Sequence, residues 1–160
     1  MANKADSISV ILPLYSVVRG VPQVPERSGI NQWNASGRDR KFGEAYIPIP
    51  ASVRNNNQAF FPERDQPFRL LLPSGRIVTG KVCQQGGKAL MTTPNVELCN
   101  WLFSKLDNNL EDAIRRFVRK DPYKYSDLLK VGIDSVKMTR VEGAEYQFEL
   151  EAIPVSITVH

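Results

Sequence analysis

The sequence of 160 residues predicts an α+β domain, mainly β, in which six or seven strands form a partly closed antiparallel barrel with two or three short helices at its ends. Three observations predict this class. Runs of β-prone residues recur along the chain, turns containing glycine or proline separate them, and only two long stretches have clear helical spacing. No repeat or low-complexity segment divides the chain, so we expect one domain over residues 1–160 with a core over about residues 8–152.

Strand candidates dominate the first half of the chain. Residues 8–18 are mostly apolar and predict a strand, which a proline-punctuated link at 21–25 follows. Residues 45–50 predict a short strand at a sheet edge, because Pro48 has no N–H to give to a ladder. Residues 68–72 and 76–82 flank Pro-Ser-Gly and predict a β-hairpin.

Helical spacing begins after this hairpin. Thr93 is a candidate cap with Pro94 in the first turn, and a second apolar pattern starts at Leu110, with acidic residues first and basic residues last. A short helical turn at 126–130 is expected to stop at Gly132, and residues 134–141 with 145–152 predict a final hairpin. The apolar face of the first helix is expected to contain Leu98, Cys99, Leu102, Phe103 and Leu106, and that of the second Leu110, Ala113, Ile114, Phe117 and Val118.

The composition argues against several classes of function. The only histidine is His160, so Ser-His-Asp and Cys-His catalytic arrangements are not expected, and Gly86-Gly87-Lys88 does not complete a phosphate-binding loop of the Walker type. Cys83 and Cys99 are too few for a disulfide framework or a zinc site and are expected to be buried thiols. We therefore expect no metal and no cofactor.

Neither a membrane span nor a signal peptide is recognisable, so a cytoplasmic protein without membrane contact is expected.

Positive charge is concentrated in the front of the chain. The net charge is +4, but residues 1–105 hold 13 Lys and Arg against 7 Asp and Glu, whereas residues 106–160 hold 8 against 10. This asymmetry favours a polyanionic partner for the front part. The basic cluster at 115–120 lies in the acidic part, and we interpret it as cations that complement a helix dipole, with a phosphate-binding stripe as the alternative.

Two polar, glycine-containing segments carry the side chains that suit DNA. Arginine forks match guanine, and asparagine and glutamine match adenine, in the major groove. The first segment, 29–43, contains such groups at Asn31, Gln32, Asn34, Arg38 and Arg40. A solvated loop is the alternative for it, and Trp33 favours a loop that is anchored on the core.

The second segment, 83–95, repeats this chemistry. It contains Gln84, Gln85, Lys88, Thr92, Thr93 and Asn95. Taken singly, Gly86-Gly87 is explained by a turn and Thr93 by a helix cap, so the hypothesis depends on there being two such segments.

The stretches PERSGINQWNASGRDRKFGEAYIPIP, FFPERDQPFRLLLPSGRIVTGKVCQQGGKALMTTP and DLLKVGIDSVKMTRVEGAEYQFEL resemble the B3-type DNA-recognition domain of NgoFVII-type and related type II restriction endonucleases. The similarity covers residues 10–150 or so. The resemblance implies a seven-stranded open antiparallel pseudobarrel that grips duplex DNA in the major groove with two arms, at 28–42 and 84–95. The DNA-binding residues it implies, together with those singled out above, are Arg27, Asn31, Gln32, Trp33, Asn34, Ser36, Arg38, Arg40, Lys41, Gln84, Gln85, Lys88, Thr92, Thr93 and Asn95.

The expected function is therefore that of a non-catalytic, sequence-specific double-stranded DNA-binding module of a restriction endonuclease. In many relatives this module follows a phospholipase-D-like nuclease domain, so we expect a catalytic nuclease domain or subunit as a partner, with residues 153–160 as the start of a linker. Two alternatives stay open. One is a small metal-dependent endonuclease using Asp39 of the Asp-Arg-Lys tripeptide at 39–41, and the other is a domain whose arms hold a partner protein.

Overall fold

The protein is known from a computed structural model that describes residues 9–35, 37, 41–83, 88–93, 95–142 and 145–152. A seven-stranded sheet forms the body of the domain, and a two-stranded hairpin stands beside it. The strands are β1 (Ser9–Pro13), β2 (Ser16–Val18), β3 (Val21–Gln23), β4 (Ile47–Pro48), β5 (Phe68–Leu71), β6 (Ile77–Cys83), β7 (Ala89–Thr93), β8 (Ile133–Glu142) and β9 (Glu145–Ala152). The helices are a 3-10 helix (Gly29–Asn34), α1 (Ala51–Asn56), α2 (Asn95–Leu106), α3 (Leu110–Arg119) and α4 (Tyr125–Val131).

The large sheet has the order β1-β8-β9-β5-β6-β7-β4, and its two edge strands β1 and β4 approach each other, so that the sheet nearly closes. This confirms the expected pseudobarrel. The sheet is mixed rather than wholly antiparallel, because β9 pairs with β5 in parallel while every other pair in it is antiparallel. Three helices lie between β7 and β8. After such a long connection, no local sequence pattern predicts whether the next strands pair in parallel or antiparallel orientation.

The local hairpin predictions are confirmed. Leu71 pairs with Ile77 across the turn between β5 and β6, and side chains alternate between buried and exposed along both strands. β8 and β9 form the final hairpin, and β4, which contains Pro48, lies at the sheet edge. The prediction of a single strand at 8–18 was wrong, because β1 ends at Pro13 and a separate strand, β2, follows it. β2 pairs with β3, which lies in part of the segment expected to be a link.

The helix predictions are confirmed for α2 and α4. All five residues expected on the apolar face of α2 are buried, and α4 ends at Gly132, whose φ of 72° is the left-handed conformation that glycine favours. Cys83 and Cys99 are buried free thiols, and burial raises the pKa of Cys99 to about 12. The short helix α1 was not predicted, because it has no buried residue and therefore no apolar periodicity.

The orientation of α3 differs from the prediction. Ala113 is buried, but Ile114 and Val118 are 42 % and 72 % exposed, and Arg116 lies buried in their place. Carboxylates from outside the helix, Asp107 and Asp127, hold the Arg116 guanidinium on this inner face. None of the helices in the described part of the chain is long and apolar enough to cross a membrane.

The pairing of β5 with β6 predicts that any side chain at position 80 lowers the stability of the protein. Gly80 lies opposite Phe68, and a Cβ atom on it would lie 2.6 Å from two ring carbons of Phe68. The ring is fixed by edge-to-face packing on Tyr146 at 4.9 Å between centroids. We expect Gly80→Ala to lower the free energy of unfolding by about 1–3 kcal/mol in urea denaturation, because overpacking displaces the ring or the strand.

The control for this prediction is Lys81→Ala at the exposed neighbouring position, which should stay within about 0.5 kcal/mol of the unmodified protein. The double variant Gly80→Ala/Phe68→Leu should lose less stability than the two single losses added together, because the smaller side chain relieves the overlap. An unchanged denaturation midpoint for Gly80→Ala would contradict the packing described.

Candidate nucleic-acid interface

The 3-10 helix begins the first polar segment and fixes it to the sheet edge. The backbone N–H of Tyr46, just before β4, donates to the carbonyl oxygen of Gly29 at 3.1 Å. Gly29 has a φ of 60°, and a Cβ there would approach Cγ of Pro48 to 3.3 Å. Glycine is needed at this position both for its backbone conformation and for the close approach.

Two residues of this segment that we expected at the DNA interface lie inside the protein. Asn31 is fully buried, and its amide is engaged by the backbone of Pro25 and Tyr123. Trp33 is 5 % exposed and packs edge-to-face on Phe117. The expectation that Asn31 contacts a base is therefore corrected, because none of its amide N–H groups is left for a ligand. Trp33 anchors the segment on the core, as its place in a polar segment indicated, and its burial corrects the expectation that it contacts DNA.

Other residues of the first segment lie nearer to solvent. Gln32 and Asn34 are partly exposed, and the Asn34 amide donates to the Glu26 carbonyl oxygen at 3.2 Å. Arg27 and Lys41 are exposed at the two sides of the segment. Ser36, Arg38 and Arg40 lie outside the described residues.

The second polar segment leaves β6 and returns as β7. Lys88 is exposed, and its carbonyl oxygen accepts from the Ile49 N–H at 2.8 Å. Thr92 is only 4 % exposed, so its expected contact with DNA is also corrected, whereas Thr93 at the end of β7 is exposed. Gln84 and Gln85 lie outside the described residues, as does the side chain of Asn95.

The bases of the two segments meet in one cleft. Gly29 from the first segment, Ser28 just before it and Lys88 from the second segment line a cleft of about 590 Å³. Tyr46 and Arg54 are among its other polar lining residues, and the Nε of Arg54 donates to the Ile49 carbonyl oxygen at 3.2 Å. Arg54 is a candidate that the sequence did not indicate, because it lies on α1, which has no recognisable pattern.

Three cations in or beside the two segments have exposed side chains. Among the residues that the structure describes, no carboxylate forms an ion pair with the side chains of Arg27, Lys41 or Lys88. By contrast, Arg69 and Arg76, on the opposite part of the sheet, pair with Glu145 and Glu97. The exposed cations beside the two segments therefore keep their charge available for a polyanion.

Arg116 lies outside this surface and connects residues of a neighbouring part of the core. Its guanidinium contacts carboxylates of Asp107 at 3.1 Å, Asp121 at 3.3 Å and Asp127 at 3.4 Å, and lies 4.5 Å from the ring centroid of Tyr123. Burial by itself lowers the pKa of Arg116, but the hydrogen bond and charge of Asp107 outweigh this effect and raise it. The sequence indicated only a cation near a helix end.

Two other members of the basic cluster, Arg115 and Arg119, also form ion pairs with nearby carboxylates. Arg115 contacts the carboxylates of Glu111 and Asp112, and Arg119 contacts Asp121 at 3.6 Å. These pairs favour the interpretation of local charge complementation over a phosphate stripe. Within the described ranges, no group of three or more His, Cys, Asp and Glu side chains is arranged to hold a metal ion, and Asp39 lies outside those ranges.

Comparison with known families gives one match. The family model of the NgoFVII C-terminal B3-like DNA-binding domain matches residues 6–142, which is most of the chain. The match includes both polar segments and every strand from β1 to β8. No curated protein matches the chain significantly.

Proposed function

We propose a function from one premise: the chain belongs to the family of the NgoFVII C-terminal B3-like DNA-binding domain of restriction enzymes. DNA is thus its partner as a family property. The specific proposal is that this chain recognises a short double-stranded sequence from the major groove with two arms, 28–42 and 84–95, and does not cleave DNA by itself. The observation that carries this proposal is the single cleft in which Ser28, Gly29 and Lys88 meet.

The proposed base contacts are the polar side chains of the arms, except the three that the structure shows to be buried. In the first arm the forked Arg38 and Arg40 suit guanine, while Gln32 and Asn34 suit adenine or bridge neighbouring bases. Ser36 adds a hydroxyl. The second arm contributes Gln84, Gln85, Thr93 and Asn95. Asn31, Trp33 and Thr92 are supports in this proposal, because their burial keeps them from the groove.

Phosphate contacts are proposed for the cations around the cleft. Arg27, Lys41 and Lys88 are exposed, and Arg54 lines the same cleft as Lys88. Cations on phosphates supply affinity that depends on salt and orient the domain on the duplex, whereas contacts to base edges discriminate between sequences. The two groups of residues therefore have different experimental signatures.

Cleavage is assigned in this proposal to a nuclease domain or subunit that acts with this chain in the cytoplasm. A recognition module needs a rigid body and projecting polar side chains, whereas metal-dependent hydrolysis needs carboxylates held together on rigid elements. The described residues supply the first requirement in the form of the nearly closed sheet.

The role of Arg38 is tested by selecting bound duplexes from a randomised pool with the unmodified chain and with Arg38→Ala. We expect the variant to lose preference at one base position, with a discrimination loss of about 1–3 kcal/mol there, because one bidentate contact is removed. Arg115→Ala is the control, since Arg115 pairs with Glu111 and Asp112. An equal loss of affinity for every duplex would instead make Arg38 a phosphate contact.

The role of Lys88 is tested by titrating one selected duplex at several salt concentrations. We expect Lys88→Ala to weaken binding to all sequences alike and to reduce the slope of log K against log salt by about one. The exposed Lys130 on α4 provides the control variant Lys130→Ala, which should keep the original slope. A change in sequence preference without a change in slope would place Lys88 on a base rather than on a phosphate.

The lack of cleavage is tested with supercoiled plasmid and Mg²⁺ at protein concentrations that saturate DNA binding. We expect no nicked or linear product, because recognition and hydrolysis are assigned to different domains. Asp39→Ala is the matched variant. Cleavage by the unmodified chain that disappears in Asp39→Ala would establish the alternative of a small metal-dependent endonuclease.

A further inference from the structure

Two aromatic residues that flank segment 35–41 of the first arm pack on one side chain of α3. Trp33, before this segment, packs edge-to-face on Phe117 with ring centroids 5.5 Å apart, and Phe42, after it, does the same at 5.7 Å. Phe42 also packs on Phe103 of α2 at 5.7 Å. Contact with the same ring of Phe117 therefore fixes how far apart Trp33 and Phe42 lie.

Asn31 joins the start of this arm to the connection between α3 and α4. Its Nδ2 donates to the carbonyl oxygens of Tyr123 at 2.8 Å and Pro25 at 2.9 Å, and its Oδ1 accepts from the Tyr123 N–H at 2.9 Å. The side chain thus pairs with both polar groups of one residue 92 positions away in sequence. Only a primary amide has two donors and an acceptor in this arrangement.

Arg116 is connected to the two residues that Asn31, Trp33 and Phe42 contact. It precedes Phe117 in the chain, and its guanidinium lies over the ring of Tyr123. Asp107 accepts from both Arg116 Nε, at 3.1 Å, and Tyr123 Oη, at 2.8 Å. Arg116, Phe117 and Tyr123 therefore form one connected unit, which we call the arm platform.

We propose that Asn31 is a positioning residue for DNA recognition: through the arm platform it fixes the places of Trp33 and Phe42, the described residues that flank segment 35–41, before DNA arrives. This inference rests on the proposed function. Ordering a free loop at an interface costs binding free energy, and a loop whose ends are already held loses less on binding. Base readout also needs side chains placed to within a fraction of an ångström, which requires support by residues that do not themselves touch the ligand.

The position of Asn31 distinguishes this role from general stabilisation of the core. Its partners are the backbone groups at the entry to the arm, Pro25, and in the platform, Tyr123, and its own residue lies within the 3-10 helix that leads into the arm. Loss of the amide should consequently affect the arm more than the sheet, which is stabilised by its own ladder and core.

The test compares the unmodified chain with Asn31→Leu, which keeps the side-chain volume but removes all three hydrogen bonds, and with Phe117→Leu, which removes the ring shared by Trp33 and Phe42 without leaving a polar group unpaired. A duplex is first selected with the unmodified chain, and binding to it and to a scrambled duplex is then measured. We expect each variant to lower the ratio of specific to scrambled affinity by about tenfold, roughly the loss of one bidentate base contact. Amide hydrogen exchange in 35–41 should become faster in both variants.

The control is Val136→Ala, which removes methyl groups from a fully buried position on β8 and so destabilises the sheet without touching the platform. All binding is measured where circular dichroism shows each variant to be folded. The control should lower Tm and leave the specificity ratio unchanged. If Asn31→Leu does not fold, Phe117→Leu decides the question by the same ratio.

Two results would overturn the inference in distinguishable ways. If the unmodified chain prefers no duplex over a scrambled one, the proposed function fails, and the positioning role fails with it. If the unmodified chain is selective and the platform variants keep its specificity ratio while their Tm falls as in Val136→Ala, the proposed function stands and Asn31 is only a structural residue.

Discussion

The pairing of β4 with β7 is the constraint on which the geometry of the candidate interface depends. β4 has only two residues, with Ile47 opposite Leu90 and Pro48 opposite Ala89. Immediately beside it, Tyr46 bonds to Gly29 and Ile49 bonds to Lys88. One short strand therefore joins the bases of two segments that are far apart in sequence. Pro48, which has no N–H to donate, suits the last strand of the sheet.

Two residues near the start of the first arm anchor the chain to the body of the protein. A buried amide must have all its hydrogen-bonding groups satisfied, and Asn31 achieves this with Pro25 and Tyr123. Trp33 adds an apolar anchor, since it is buried and packs on Phe117. Asn31 is therefore a supporting residue, although its amino-acid type is one that suits base contacts.

Three arginines of the acidic rear part and two lysines of the front part differ in their ion pairing. Arg115, Arg116 and Arg119 are each engaged by carboxylates of the rear part, so their charge is used for folding. In the front part, Lys41 and Lys88 lie exposed, and no carboxylate of the described residues pairs with their side chains. This distribution suits the family's DNA partner, because uncompensated cations at one surface attract phosphates over distances of about a Debye length.

The sequence by itself determined the elements whose partners are close in the chain. The β5–β6 and β8–β9 hairpins, the apolar face of α2 and the stop of α4 at Gly132 were predictable, since turn chemistry and periodicity act over a few residues. Motif similarity in addition indicated the pseudobarrel and the two arms. Tertiary structure alone decided the parallel pairing of β9 with β5.

The roles of individual polar residues also required the tertiary structure. Asn31 and Asn34 look equivalent in sequence, yet one is fully buried against Tyr123 and the other is partly exposed. In the sequence Arg116 resembles a cation at a helix end, but ion pairs with Asp107 and Asp127 hold its side chain in the interior. In each case the deciding partner lies outside the local pattern, 92 residues away for Asn31, and burial of a polar group is favourable only where such a partner meets it.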